Sequence, residues 1–255
     1  MTFRQSRSPQ VIGLCTSQPL RRFDLPLLRS LSRQYEIAQW EFCQDLDEPI
    51  SLEAAVATLD DYVRSCNQPV HLVGHGIAGL VGWLYAKQYP EQVRSLTMLS
   101  VSHHLATSWH SHYYAQRQLL GCSRETILLR TAFELFGYRD REMLQWLANL
   151  LKEDLDHSLI PHSLYNSINI PLTQIAVPML VCGAADDYVS GSRQHDHSQW
   201  RKFLKDGDRL WFSSEGRHFF HYHQWQAVSN QIRCFWHSLS RQPQTETAFM
   251  LPQTK

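Results

Sequence analysis

The chain has 255 residues, with 24 Lys+Arg against 24 Asp+Glu, 43% hydrophobic and 11% aromatic. That apolar share and a formal charge of zero exclude a disordered chain, and 11 Gly and 11 Pro exclude a collagen-like or low-complexity one. The balanced charge gives no reason to expect nucleic acid or an anionic membrane as partner, and no apolar run approaches the ~18 residues of a membrane span.

The length suits one large α/β domain. VIGLC (11–15) reads as a buried strand, Phe23 to Leu31 as a helix, and YEIAQWEF (35–42) as the next strand. Ser51 is placed to cap a helix over SLEAAVATLDDYV, with Ala54, Ala55, Leu59 and Val63 on one face. VHLVG (70–74) is a third strand, a helix follows from Ile77 to Gln88 where Pro90 stops it, and LTMLSV (96–101) is a fourth strand. Residues 103–173 then show helical stretches only, at about 105–120, 124–136 and 141–152 with a shorter piece near 162–169, broken at Gly121, Gly137 and Pro161. Strands return at PMLVCG (178–183) and RLWFSS (209–214), and an amphipathic helix runs from Gln224 to Leu239. The expected organisation is an α/β core over 1–102 and 174–240, a helical insertion over 103–173, and a loose tail over 241–255. Alternating buried strands and helices imply a mostly parallel sheet covered on both faces.

MTFRQSRSPQ holds no stretch of signal-peptide length, so a cytoplasmic location is expected. The cysteines (Cys15, Cys43, Cys66, Cys122, Cys182, Cys234) are scattered without a CxxC pair and read as reduced thiols.

In open α/β sheets the chemistry lies beyond the carboxyl ends of the strands. Three such ends stand out. Gly74-His75-Gly76-Ile77-Ala78-Gly79 follows a strand and opens a helix, the strand–turn–helix setting of a G-x-S-x-G nucleophile elbow. Gly183-Ala184-Ala185-Asp186-Asp187 and Gly216-Arg217-His218-Phe219 supply an acid and a histidine at two further ends. A carboxylate that accepts one imidazole N–H fixes the tautomer and frees the other nitrogen as a base.

These segments make the chain resemble the α/β-hydrolase-fold superfamily, of the single-domain esterase, lipase and lyase type. The likeness is carried by PVHLVGHGIAGLVGWLYAKQYPEQVRSLTMLSV (69–101), PMLVCGAADDYV (178–189) and EGRHFFHYHQW (215–225), in the family's chain order of nucleophile, acid and histidine. It covers residues 10–240. The resemblance implies Asp186 as the acid and His218 as the base, with an oxyanion hole from the Ile77 N–H and a second N–H after the first strand. There the chain reads Cys15-Thr16-Ser17-Gln18 without the family's glycine, which places Thr16 and Ser17 at the pocket, and the family's leading hairpin is not expected. The nucleophile position is Gly76, so a covalent intermediate through residue 76 is impossible.

Three readings follow. The first is a catalytically degenerate hydrolase that binds an apolar small molecule or a protein partner. The second is an unusual hydrolase or lyase in which the His218–Asp186 pair acts as general base on water or substrate. The third moves the nucleophile to Ser17, Thr16 or Ser102. A glycine substituted for serine to trap substrate is disfavoured by the altered oxyanion loop.

Other features have plainer explanations. His75 beside the elbow reads as a packing residue bordering the pocket. The pairs His103-His104, His110/His112, His195/His197 and His221/His223 fall in helix or loop, where alternate side chains diverge, so no metal site is expected. Trp109, Tyr113, Tyr114, Phe133, Phe136 and Trp146 in the insertion mostly pack helices, leaving one or two for a ligand. Arg217 reads as an exposed loop residue rather than an anion site. Gly74, Gly76 and Gly79 match G-x-G-x-x-G in letter, but the following strand end, MLSVS, lacks the acid of a dinucleotide site. No cofactor is expected.

Overall fold

A computed structural model describes residues 8–43, 47, 51–160, 162, 169–190 and 198–241. Six strands, β1 (Val11–Cys15), β2 (Ile37–Glu41), β3 (Val70–His75), β4 (Val93–Leu99), β5 (Met179–Ala184) and β6 (Arg209–Ser213), form one sheet. Its order is β2-β1-β3-β4-β5-β6, and every pairing is parallel. This is the expected α/β class.

Alternation along the strands sorts the core into two layers. Ile12, Leu14, Leu72, Leu96, Met98 and Val181 pack beneath α2 (Leu52–Ser65) and α3 (Ile77–Gln88). The intervening Val11, Val73, Leu99, Leu180 and Cys182 face α1 (Leu25–Leu31) and the C-terminal helix. Ser51 caps α2 as expected, accepting from the Ala54 N–H at 3.0 Å. The buried stripe of α2 is Leu52, Ala55, Val56, Leu59 and Val63; Ala54 lies outside it and is exposed, because it sits a residue too early on the 3.6 period.

Between β4 and β5 the chain builds α4 (Trp109–Leu119), α5 (Arg124–Phe136) and α6 (Arg141–His157). Ser108, Ser123 and Asp140 cap them, and Gly137 closes α5 at φ +79°. Their apolar faces join Phe23 and Phe219 in a separate cluster, where Phe136 stacks on Phe219 with ring centres 4.3 Å apart. The helix expected near 162–169 and the tail after 241 fall almost wholly outside the described residues. After β6 come a short helix, α7 (Phe220–His223), and α8 (Trp225–Ser240).

Candidate active site

The turn from β3 into α3 has the backbone of a nucleophile elbow. Gly76 sits at φ 53°, ψ −122°, a region costly for residues with a Cβ, and its N–H donates to the Leu99 carbonyl at 3.0 Å. The crossing is tight. A Cβ on Gly74 would lie 2.7 Å from the Gly79 nitrogen, and one on Gly79 would lie 2.9 Å from the Gly74 oxygen. Glycine is therefore required at both positions. At Gly76 the opposite holds: a Cβ would meet nothing within 4 Å. The place of a nucleophile side chain is open space. Ile77 begins α3, whose first turn receives no side-chain cap from Gly76.

His218 lies in the loop after β6, and the carboxylate it meets is Asp187, one residue beyond the expected Asp186. His218 Nδ1 lies 3.0 Å from Asp187 Oδ2 and 3.3 Å from Oδ1. Asp186, expected as the partner, is exposed and accepts the Arg217 N–H at 2.8 Å instead. The reason is local: β5 runs through Ala184, and the turn beyond it points residue 186 outward and residue 187 into the core. Burial pushes the Asp187 carboxyl up, but His218, the Val189 N–H and Ser190 outweigh it and hold the carboxyl below its usual value. His218 is itself buried, and its Nε2 has no hydrogen-bond partner among the described residues. The loop carrying it is held firmly: the His218 carbonyl accepts from Ser100 Oγ at 2.7 Å and from His75 Nε2 at 3.0 Å.

A cavity of about 40 Å³ stands over the elbow, lined in part by Thr16, His75, Gly76, Ile77, Trp109 and His218. That is room for one or a few waters. Ser17 also lines it, but its Oγ accepts the Leu20 N–H at 3.3 Å. Ser102, the other hydroxyl considered as a nucleophile, accepts the His104 N–H and is absent from the lining. Of the aromatic residues in the insertion, only Trp109 reaches this cavity among the described residues. Leu14, Leu20 and Phe219 add apolar wall.

His75 does more than pack. With Asp24 and His221 it forms a cluster whose donor atoms all lie within 4.8 Å of one another. His221 Nε2 meets Asp24 Oδ1 at 2.8 Å, and His221 Nδ1 is buried with no partner among the described residues. Burial pushes Asp24 up to about 6 and His221 down to about 3, and it holds His75 well below the usual imidazole value. The set could accept a divalent cation by residue type, but His75 and His221 each already turn a ring nitrogen to a protein oxygen.

The remaining histidines are largely satisfied by partners. His110 bonds Asp154 and His112 bonds Glu134, both at 2.8 Å, joining α4 to α6 and α5; His195 and His197 lie outside the described residues. Arg217 reaches the Phe133 and Glu134 carbonyls at 3.2 and 3.4 Å and lies over the Phe133 ring, so it fastens the His218 loop to α5. Sequence reasoning missed Asp187, Asp24, Ser108 and Asp154. Only Asp187 had a local signal, the doubled acid after β5.

The sheet, the elbow and the loop-borne His–Asp pair define an α/β-hydrolase fold. Solved structures agree on the fold. The CesB carboxylesterase of Bacillus subtilis matches with TM-score 0.71 and 17% identity, covering 91% of this chain and 85% of its own. The naproxen esterase of Bacillus subtilis matches with TM-score 0.69 and 15% identity (91% and 84% covered). A putative lipase of Acinetobacter baumannii matches with TM-score 0.69 and 18% identity (92% and 86% covered). The chain belongs to the family of two cyanobacterial proteins. One is "Uncharacterized protein sll0249" of Synechocystis, 40% identical over 242 residues (94% of this chain, 95% of that one). The other is "Uncharacterized protein alr2406" of Nostoc, 38% identical over 242 residues with the same coverage. No protein-family model matches the sequence.

Proposed function

We propose that the protein hydrolyses a small, largely apolar ester, with His218 as general base and Asp187 as the group that orients it. One observation carries this reading. Among the described residues the buried Nε2 of His218 has no partner and nothing fills the space over Gly76, while Nδ1 is fixed on a carboxylate. A buried imidazole nitrogen left without a partner is costly, and a water over Gly76 relieves it. With Nδ1–H on Asp187, the Nε2 lone pair takes the water's proton as the water oxygen attacks the ester carbonyl, and on collapse of the tetrahedral species the ester C–O bond breaks and the imidazolium returns the proton to the departing alcohol. The developing oxyanion rests on the uncapped N–H groups opening α3 at Ile77 and on the backbone at Thr16 and Ser17. The helices between β4 and β5 serve as a lid, with Trp109 as the wall above the substrate. Several structural neighbours are named as esterases or lipases, which supports an ester as the substrate class. The test is turnover of a panel of esters, thioesters and lactones by the wild type and by His218→Ala. Activity that vanishes in the variant is expected; a silent wild type, or equal rates, overturns the reading.

A second reading keeps the fold as a binding module for an apolar small molecule or a protein. The absent hydroxyl at residue 76 favours it. A cytosolic home belongs to either reading and rests on six free cysteines; no helix among the described residues is long and apolar enough to cross a membrane.

A further inference from the structure

A complete Ser–His–Asp relay faces the same cavity from the helical insertion. Ser108 Oγ lies 3.5 Å from His110 Nδ1, His110 Nε2 lies 2.8 Å from Asp154 Oδ2, and Ser158 Oγ donates to the other Asp154 oxygen. Ser108, His110 and Asp154 are 2%, 3% and 0% exposed. Ser108 and His110 both line the cavity that holds Gly76 and His218. The proton geometry is consistent along the chain. Asp154 can only accept, so His110 Nε2 carries the hydrogen and Nδ1 presents a lone pair. Ser108 Oγ accepts the Ser111 N–H at 3.4 Å as the cap of α4, which leaves its own hydrogen for His110. The positive end of α4 further favours an alkoxide at that oxygen.

We propose that Ser108 is the nucleophile that Gly76 is not: an acyl acceptor relocated to the insertion, with His110 as its base and Asp154 as the positioning carboxylate. In the first half-reaction the Ser108 Oγ–carbon bond forms, its proton passes to His110 Nδ1, and the carbonyl π pair moves onto oxygen. The tetrahedral species collapses with cleavage of the ester C–O bond, and His110 returns the proton to the departing alcohol. In the second half, water adds to the acyl carbon with its proton going to His218 Nε2. The Ser108 oxygen then leaves as its bond to the acyl carbon breaks and takes up the proton held by His218, releasing the carboxylic acid and restoring both histidines. The second half rests on the function proposed for His218; the first does not.

The two are separated by covalent labelling with a small dialkyl fluorophosphonate, followed by intact mass and peptide mapping. We expect one phosphonyl group per wild-type chain, on Ser108, with fluoride lost. Ser108→Asn keeps a good helix cap but has no hydroxyl; it should fold with a wild-type melting curve and take no label. His110→Gln should label at least about a hundredfold more slowly, the usual worth of a general base. His218→Ala should still take the label on Ser108 and, with p-nitrophenyl acetate, accumulate an acetyl group there. An unlabelled wild type, a label elsewhere, or a Ser108→Asn protein that labels normally overturns the proposal. His218-dependent ester turnover without any adduct would overturn it while leaving the general-base reading intact.

Discussion

Two imidazole–carboxylate pairs face one cavity, and they differ in what lies beyond the imidazole. On the sheet side, His218 is held by Asp187, its Nε2 has no partner among the described residues, and it lines the cavity together with Gly76. On the insertion side, His110 is held by Asp154, and past its Nδ1 is the Ser108 hydroxyl. The first pair sits on loops at strand ends, fixed by side-chain hydrogen bonds from Ser100 and His75 to the His218 carbonyl. The second joins α4 to α6, so the same atoms that could move a proton also hold two helices together. Removing either imidazole leaves a buried carboxylate without its partner, but only His110 also ties one helix to another.

That contrast sets the order of expected effects. His218→Ala and Asp187→Asn should each lower ester turnover by about 10²–10⁴-fold, whereas Asp186→Asn should leave it near wild type, a comparison read directly from initial rates. A loss at 186 with none at 187 would return the acid to the residue that the sequence suggested. His110→Leu should cost about 3–5 kcal/mol in denaturant melts, since it leaves the Asp154 carboxyl buried without its imidazole. Arg124→Ala, which breaks the exposed 2.7 Å pair with Asp156, should cost under about 1 kcal/mol and serves as the control. Gly76→Ser should cost about 1–3 kcal/mol because φ there is 53°. It should also create a second fluorophosphonate adduct, at residue 76, that disappears when His218 is changed to Ala as well. A Gly76→Ser protein that gains no adduct would show that Nε2 is not aimed at the vacated position.

What the sequence revealed follows the same division. The six strands, the helices from 77 and 124, and the elbow itself were legible because hydrophobic runs and the glycines at 74 and 79 answer to local rules: strand burial, helix caps and backbone crowding. His218 was legible as a histidine after a strand. Asp187 was not separable from Asp186, since a one-residue extension of β5 decides which carboxylate turns inward, and nothing in AADDY marks that boundary. Ser108, His110 and Asp154 were further out of reach. Two of them lie two residues apart and the third lies 44 residues later than His110, brought together only by the packing of α4 against α6. Their pairing is a tertiary fact with no periodic trace.

A third kind of imidazole sharpens the comparison, one buried with no carboxylate. His71 on β3 bonds Ser95 Oγ through Nδ1 at 2.7 Å and stacks on Trp236 with ring centres 4.6 Å apart. Burial, with help from Arg94, pushes it down to about 4. Between pH 6.5 and 4 the unfolded chain therefore binds a proton that the native His71 refuses, and stability falls as the pH falls. The loss is at most about 1.4 kcal/mol per pH unit for one such site. His221, pushed down to about 3, acts in the same direction, while Asp24, pushed up to about 6, opposes both by taking up a proton in the native state first. His71→Gln can keep a hydrogen bond to Ser95 but cannot titrate. Its urea stability should thus drop less than the wild type's between pH 7 and pH 5, by up to one proton's slope. Parallel curves for the two proteins would mean that His71 is protonated in place, and that the Ser95 hydroxyl turns its lone pair to the ring in the way Asp187 and Asp154 turn theirs.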